Sequence, residues 1–192
     1  MTLEDIPDDW QHDDVRLALT MVQRFGLAID CGAHRGVITR LLGDYFERVV
    51  AIEPSDLAAR IQLPNVEVVQ KALGGSAKRV GMVDGLHNTG QRYVVEGDEV
   101  EMITLDSLNL APDFIKIDCE GMEWHVLVGG EQTIRTHKPV IMFEENGLNE
   151  RYGVAGGEVG RLLESWGARH AYTTRRNSQD EDWYFTFDNG SG

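Results

Sequence analysis

The chain has 192 residues, of which 42% are hydrophobic and 26% charged, a balance that excludes a disordered chain and allows one domain with a full core. The 32 acidic residues against 18 basic ones give a net charge of −14, which excludes a broad nucleic-acid surface but not a nucleotide held in a pocket. No apolar run approaches the ~18 residues of a membrane span, the acidic start lacks the order of a signal peptide, and two cysteines, Cys31 and Cys119, point to a reducing cytoplasm rather than a disulfide framework.

Apolar residues at Val15, Ala18, Met21, Val22 and Phe25 have helical spacing, with Asp13 or Asp14 as N-cap and Gly26 as the stop. LAID is a short apolar run of the kind buried on both faces of a sheet. A helix over 36–46, the strand RVVAIEP, a short helix over 55–62 and the strand NVEVVQKAL follow. This β-α-β-α-β order predicts an α/β fold with a parallel sheet. Residues 74–105 break the rhythm: six glycines punctuate the β-like runs VGMV, RYVV and VEMITL, which read as strands joined by turns. The rhythm returns with the strand FIKID, a helix from Glu123 to Thr136, the strand PVIMFEEN and a helix over 157–166. The runs AYTTRR and DWYFTF close the chain as a hairpin, giving a mixed sheet with an antiparallel edge. The whole chain, 1–192, is read as a single domain, with 1–26 as an N-terminal helical extension and 74–105 as a Gly-rich β insertion in the position of a lid.

Three motifs carry chemistry. Asp30-Cys31-Gly32-Ala33-His34-Arg35-Gly36 closes a strand and opens a helix, where glycines let the backbone approach a ligand and free N–H groups point at it. It lacks the Gly pattern of a dinucleotide fold and the Gly-Lys-Ser/Thr of a P-loop, and a plain tight turn also accounts for it. Glu53 ends the next strand 23 residues after Asp30, where α/β nucleoside sites bind ribose hydroxyls. A carboxylate there accepts from both hydroxyls and repels a 2′-phosphate. Asp118-Cys119-Glu120-Gly121-Met122-Glu123 follows the FIKI strand, and the switch-point rule puts Asp118 across the same cleft from Asp30. Glu123 also suits the first turn of a helix for its dipole.

With AIDCGAHRG, VVAIEPS, the KAL of VVQKALGG, MITLDSL, FIKIDCEGMEWHVLVGGEQTI and KPVIMFEEN in this order, the sequence resembles the FkbM-type S-adenosylmethionine-dependent methyltransferases from residue 27 to about 146. The resemblance implies a Rossmann-like class I methyltransferase: a seven-stranded, mostly parallel sheet with an antiparallel last strand and helices on both faces. It assigns Asp30, Gly32, Ala33 and Gly36 to the methionine portion of the cofactor and Glu53 to the ribose, with His34 also among the cofactor-binding residues. Pro54 and Ser55 then line the adenosine, while Ala72 and Leu73 flank the adenine. Lys71 stands where the family often has Asn. Asp118, Glu120, Gly121 and Glu123 form the floor at the reacting methyl, and Glu144 closes the site.

The implied reaction is methylation of a hydroxyl on a sugar or small natural product. Asp118 and Glu120 are the expected bases, with His87 in HNTGQ next and His125 behind it; Asn88 joins Glu120, Glu123 and Glu144 on the acceptor side. No resident metal is expected. The alternative is a divalent cation on Asp118, Glu120, Glu144 and Asn146, whose hard oxygens suit Mg²⁺ or Ca²⁺; a zinc site on Cys31, Cys119 and His34 lacks a fourth ligand. A nucleotide or nucleic-acid-base methyltransferase and a non-catalytic cofactor-binding module are the other classes. Against the first, the strand end reads IDCEG and not an N-P-P-aromatic signature. Arg175 and Arg176 could contact a phosphate, although such a pair on a hairpin is usually plain surface. The expected partner is a small-molecule acceptor, with no membrane; the sequence leaves the oligomeric state open.

Overall fold

The computed structural model describes residues 11–84, 92–177 and 180–188. The helix α1 (His12–Leu19) leads into β1 (Leu27–Cys31), α2 (Val37–Gly43), β2 (Arg48–Ile52), a 3₁₀ turn (Asp56–Arg60) and β3 (Val66–Val69). After β4 (Ala72–Leu73), β5 (Lys78–Asp84) and β6 (Arg92–Ile103) come β7 (Phe114–Ile117), α3 (Glu123–Val128), α4 (Glu131–His137) and β8 (Val140–Glu145). A 3₁₀ turn (Leu148–Tyr152), α5 (Glu158–Ser165), β9 (Ala168–Arg175) and β10 (Glu181–Phe187) complete the described chain.

Seven strands form one sheet in the order β3-β2-β1-β7-β8-β10-β9. Pairing is parallel from β3 to β8, and β10 runs antiparallel to both of its neighbours. The last strand is therefore inserted beside β8, and the sheet edge is β9. Strand order reverses between β1 and β7, the switch point at whose carboxyl ends ligands bind in open α/β sheets.

The pleat sorts the core. Ala28, Val49, Phe114 and Met142 point to one face, under Val15 and Ala18 of α1 and Leu42 of α2. Ile29, Val50, Ile115 and Ile141 point to the other, against Val126, Leu127 and Leu163. Phe114 is fully buried and its ring stacks on Phe46 at 6.1 Å, so truncating it to Ala should cost about 3–5 kcal/mol.

Several expected elements are redrawn by packing. NVEVVQKAL is two strands: the chain turns at Gln70 and Lys71, and Ala72–Leu73 pairs with Met102–Ile103 in a second sheet of order β4-β6-β5. RYVV and VEMI join in the single 12-residue strand β6, with an irregularity opposite Val80 and Gly81. The helix expected over 123–136 breaks at Gly129 and Gly130. A Cβ on Gly129 would lie 2.2 Å from the Gly74 carbonyl oxygen, and one on Gly130 would lie 2.6 Å from Leu105 Cδ2. The break lets the second sheet seat directly on the helical layer. Finally, α1 stops at Leu19 rather than at Phe25. Val22 and Phe25 still pack inward, but Phe25 and Gly26 use their carbonyls to accept from Glu47 and Arg48 and lead into β1.

Candidate active site

A cleft of about 700 Å³ opens over the carboxyl ends of β1, β2, β7 and β8. Its first end is built from backbone. The N–H groups of Gly32 and Ala33 both donate to the Ile52 carbonyl, at 2.9 and 3.0 Å, which binds the turn after β1 to the end of β2. Glu53, only 7% exposed, accepts from the His34 N–H at 2.8 Å on Oε2 and from the Ser55 N–H at 2.9 Å on Oε1. Each oxygen retains a lone pair. Gly32 sits at φ +80°, where a Cβ would lie 1.8 Å from the Asp118 carbonyl oxygen, so this position requires glycine on both conformational and steric grounds. His34 is itself left-handed at φ 51°; burial holds its ring below the usual histidine range, and Nε2 has no partner. Ser55 Oγ caps the 3₁₀ turn by accepting from the Leu57 N–H. Ala72 and Leu73 supply an apolar wall from the second sheet.

The other end is built from charge. Lys116 is a 4% exposed lysine in the otherwise apolar strand FIKI. Its Nζ lies 3.2 Å from Asp118 Oδ2 and 3.7 Å from Asp30 Oδ1. Burial pushes Asp118 up, but Lys116 and then Arg176 more than offset it, and its carboxyl titrates below the usual range. Burial lowers Lys116 less than its two carboxylates raise it, so it stays charged. Asp30 is fully buried and accepts from Thr39 Oγ1 at 2.6 Å; burial outweighs Lys116, and its carboxyl is raised.

Next along the turn, Glu120 takes a left-handed φ of 54° and its Oε2 is buried with no partner. Burial, and then the negative Asp118 and Glu123, push it up to about 8. Glu123 is pushed up to about 7 by burial although its Oε1 accepts from the N–H groups of Cys119, at 2.8 Å, and Gly121, at 3.2 Å. Gly121 is needed because a Cβ there would lie 2.5 Å from the Leu148 carbonyl oxygen.

Across the cleft, Glu144 of β8 and Asp182 of β10 are register partners, and Arg176 pairs with both, reaching Asp182 Oδ2 at 3.1 Å. Asn146 donates to Glu144 at 2.6 Å. Burial and then Asp118 push Glu144 well up, further than Arg176 pulls it down. Burial raises Asp182 to about 7. The Gln11 amide, oriented with its oxygen toward Arg176, lies 2.7 Å from Nη1.

Gly32, Ala33, His34, Glu53, Pro54, Ser55, Ala72, Leu73, Asp118, Glu120, Glu144 and Asn146 all line this one cleft, as does Lys71, whose Nζ pairs with Glu101 at 2.8 Å. Asp30, Gly36 and Glu123 do not reach its wall. Asp30 stands behind it, Gly36 is packed on Ile61, and Glu123 serves the turn that presents Glu120. His87 and Asn88 lie outside the described residues. His125 packs its ring edge-on against Trp124 and Tyr152 away from the cleft lining. Arg176 is not hairpin surface but a cleft residue, and Lys116 was not singled out from sequence at all; the signal was a lysine inside an apolar strand run.

Among the described residues, no three His, Cys, Asp or Glu side chains converge as metal ligands. Of the groups named for a divalent cation, Asp118 is engaged by Lys116 and Glu144 by Arg176, Asn146 bonds Glu144, and Glu120 Oε2 has no partner. Cys31 and Cys119 are free thiols, raised above the ordinary value by burial. No helix among the described residues is long and apolar enough to cross a membrane.

The family model for the methyltransferase FkbM domain matches residues 30–170. No curated protein sequence matches the chain. Among solved structures, the methyltransferase FkbM from Methylobacillus flagellatus KT is 21% identical with a TM-score of 0.55, over 83% of this chain and 43% of that one. The chain thus spans less than half the length of that relative. A SAM-dependent methyltransferase from Aquifex aeolicus is 16% identical (TM-score 0.54), covering 91% of this chain and 88% of its own. Precorrin-6y C5,15-methyltransferase from Geobacter metallireducens GS-15 is 14% identical (TM-score 0.56), covering 97% and 92%. These likenesses show a shared Rossmann-like class I fold.

Proposed function

The chain belongs to the FkbM methyltransferase domain family, and from that premise we propose that it methylates a hydroxyl oxygen of a small-molecule acceptor, with Glu120 taking up the proton. The family implies S-adenosylmethionine as cofactor, and the chain's residues suit it. Glu53 keeps one lone pair on each oxygen for two ribose hydroxyls after accepting from His34 and Ser55. The turn after β1 presents Gly32 and Ala33 without bulk toward the methionine portion, Pro54 and Ser55 line the adenosine, and Ala72 and Leu73 offer an apolar surface to the base. When bound, S-adenosylmethionine supplies an electrophilic methyl group and keeps the electron pair of the broken S–C bond as a neutral thioether.

The chain's share of the work is to orient an acceptor and remove its proton. The observation that carries this reading is Glu120: a half-buried carboxyl whose Oε2 is buried and unpartnered, held at the strand end where the turns after β1 and β7 meet. Its value of about 8 places it near working pH, as a general base requires. Asp118, kept charged by Lys116, faces the same space as a fixed anion. Glu144 and Asn146 are proposed to hold the acceptor's other polar groups, opposite Met82 and Val94 of the β5–β6 hairpin. That hairpin is braced across the site by Tyr152 Oη donating to the Val94 carbonyl at 3.1 Å and by Arg151 lying over the Tyr93 ring at 3.8 Å. The free thiols of Cys31 and Cys119 support action in a reducing cytoplasm.

The test is calorimetry with S-adenosylhomocysteine followed by transfer of a labelled methyl group to a panel of hydroxylated small molecules. Binding with O-linked label, unaffected by a chelator, is expected. Binding without label on any acceptor would favour a non-catalytic module, and absence of binding would end the proposal.

A further inference from the structure

A lysine in the middle of FIKI is costly. Its neighbours Phe114, Ile115 and Ile117 are fully buried, and a methionine of similar shape would fill the same space without desolvating a charge. Lys116 pairs in register with Asp30 on β1 and lies between Asp30 and Asp118, with its side chain 5% exposed. It therefore touches one carboxylate behind the cleft and one in it.

We propose that Lys116 is a positioning residue that decides between the two acids of the turn after β7: it holds Asp118 as a standing carboxylate, so that of the two Glu120 takes the proton leaving the acceptor hydroxyl. The acceptor O–H bond breaks, its electron pair stays on oxygen for the new bond to carbon, and a new O–H bond forms on Glu120. Without the lysine, Asp118 and Glu120 would be two adjacent acids sharing one proton.

The neighbours on every side are consistent with this division. Asp118 faces Lys116 from its own strand, Cys119, Glu120 and Glu123 from its own turn, Asp30 and His34 from β1 and its turn, Glu144 from β8, which shares a hydrogen bond with it, Arg176 from the β9–β10 connection and Asp182 from β10. Lys116 Nζ lies 3.2 Å from Asp118 and acts on it more strongly than Arg176, which also pairs with Glu144 and Asp182. Glu120 faces Asp118 and Glu123 from its own turn, Glu144 from β8, Lys116 from β7 and Arg151 from the 3₁₀ turn. Its Oε2 has no partner, and Lys116 and Arg151 lower Glu120 less than burial, Asp118 and Glu123 raise it.

The inference rests on the proposed role of Glu120 but is tested without turnover. Carboxyl carbons of the full chain, labelled with ¹³C in Asp and Glu, are followed by NMR from about pH 5 to about pH 9, with Asp118→Asn and Glu120→Gln assigning the two resonances. In the unmodified chain Asp118 should stay flat across this range. In Lys116→Met it should acquire a titration step within the range, and in Lys116→Arg it should stay flat. An Asp118 resonance that remains flat in folded Lys116→Met overturns the proposal. If Lys116→Met does not fold, Asp118→Asn decides instead. Removing the fixed charge should bring the Glu120 midpoint down by about one pH unit, and an unmoved midpoint overturns the proposal. Titrations that behave as expected in a chain that transfers no methyl group would leave Lys116's hold on Asp118 standing and remove the reading of hydroxyl methylation.

Discussion

At the β2 end of the cleft, a buried carboxylate is met by donors: Glu53 takes the N–H groups of His34 and Ser55, one on each oxygen. At the β7 end, Asp118, Glu120, Glu144 and Asp182 crowd around two cations, and three of the four are pushed upward in their titration. One end is satisfied before any ligand arrives. The other holds more acid than it has base. The contrast separates holding from reacting: backbone hydrogen bonds fix geometry but cannot exchange a proton, whereas a buried acid with an unpartnered oxygen can.

The contrast breaks if the two ends respond alike to substitution. Glu120→Gln should lower kcat about 10³-fold while the S-adenosylhomocysteine Kd from calorimetry changes little. In the unmodified chain kcat/KM should rise with pH through about 8, since Glu120 is protonated below that value; a flat profile would assign the proton elsewhere. Gly32→Ala strikes both ends, because its Cβ must displace the Asp118 carbonyl from a position with positive φ. The expected cost is about 3 kcal/mol, a fall in Tm of roughly 6–12 °C by calorimetric scanning. Glu53→Ala should weaken cofactor binding about 30-fold, equivalent to about 2 kcal/mol, and leave the pH profile of kcat where it was.

The smallest effect is on stability. Glu123 and Asp182 titrate near 7 and Glu120 near 8, above their unfolded values, so the folded chain binds these protons more tightly. Their contribution is complete below the unfolded carboxylate values and is lost as pH rises through 7 to 8. Tm should therefore drop by a few degrees over that interval, and Glu123→Gln, which keeps an acceptor for Cys119 and Gly121, should reduce the slope. Asp118 works in the opposite sense: its contribution is present above the ordinary carboxylate value and lost as pH falls through its lowered one.

The residues legible in the sequence are those whose neighbours in space are also neighbours in the chain. The glycine turn, Glu53 at the next strand end and the IDCEG turn all stand at ends of strands that periodicity identifies. Arg176 was not legible, because its partners lie on β8 and β10, 32 residues away for Glu144, and an Arg-Arg pair on a hairpin reads as surface. Lys116 was hidden for the same reason, since Asp30 becomes its neighbour only through the β1–β7 register. In the fold, the break at Gly129–Gly130 and the transfer of Ala72–Leu73 to the second sheet depend on contacts with Gly74, Leu105 and β6, none of which leaves a local periodic trace.

Gly32 carries a practical consequence. The turn that follows β1 and the turn that follows β7 touch where a hydrogen atom is the largest group that fits between them. A mutant library aimed at new acceptors would naturally randomise the second turn and leave the first untouched. Substitutions that move the Asp118 backbone by even half an ångström would then open a gap beside Gly32 or press against it, and cofactor affinity would drift along with acceptor choice. The two turns are a single engineering unit, best diversified together and screened for retained cofactor affinity before any new acceptor is tried.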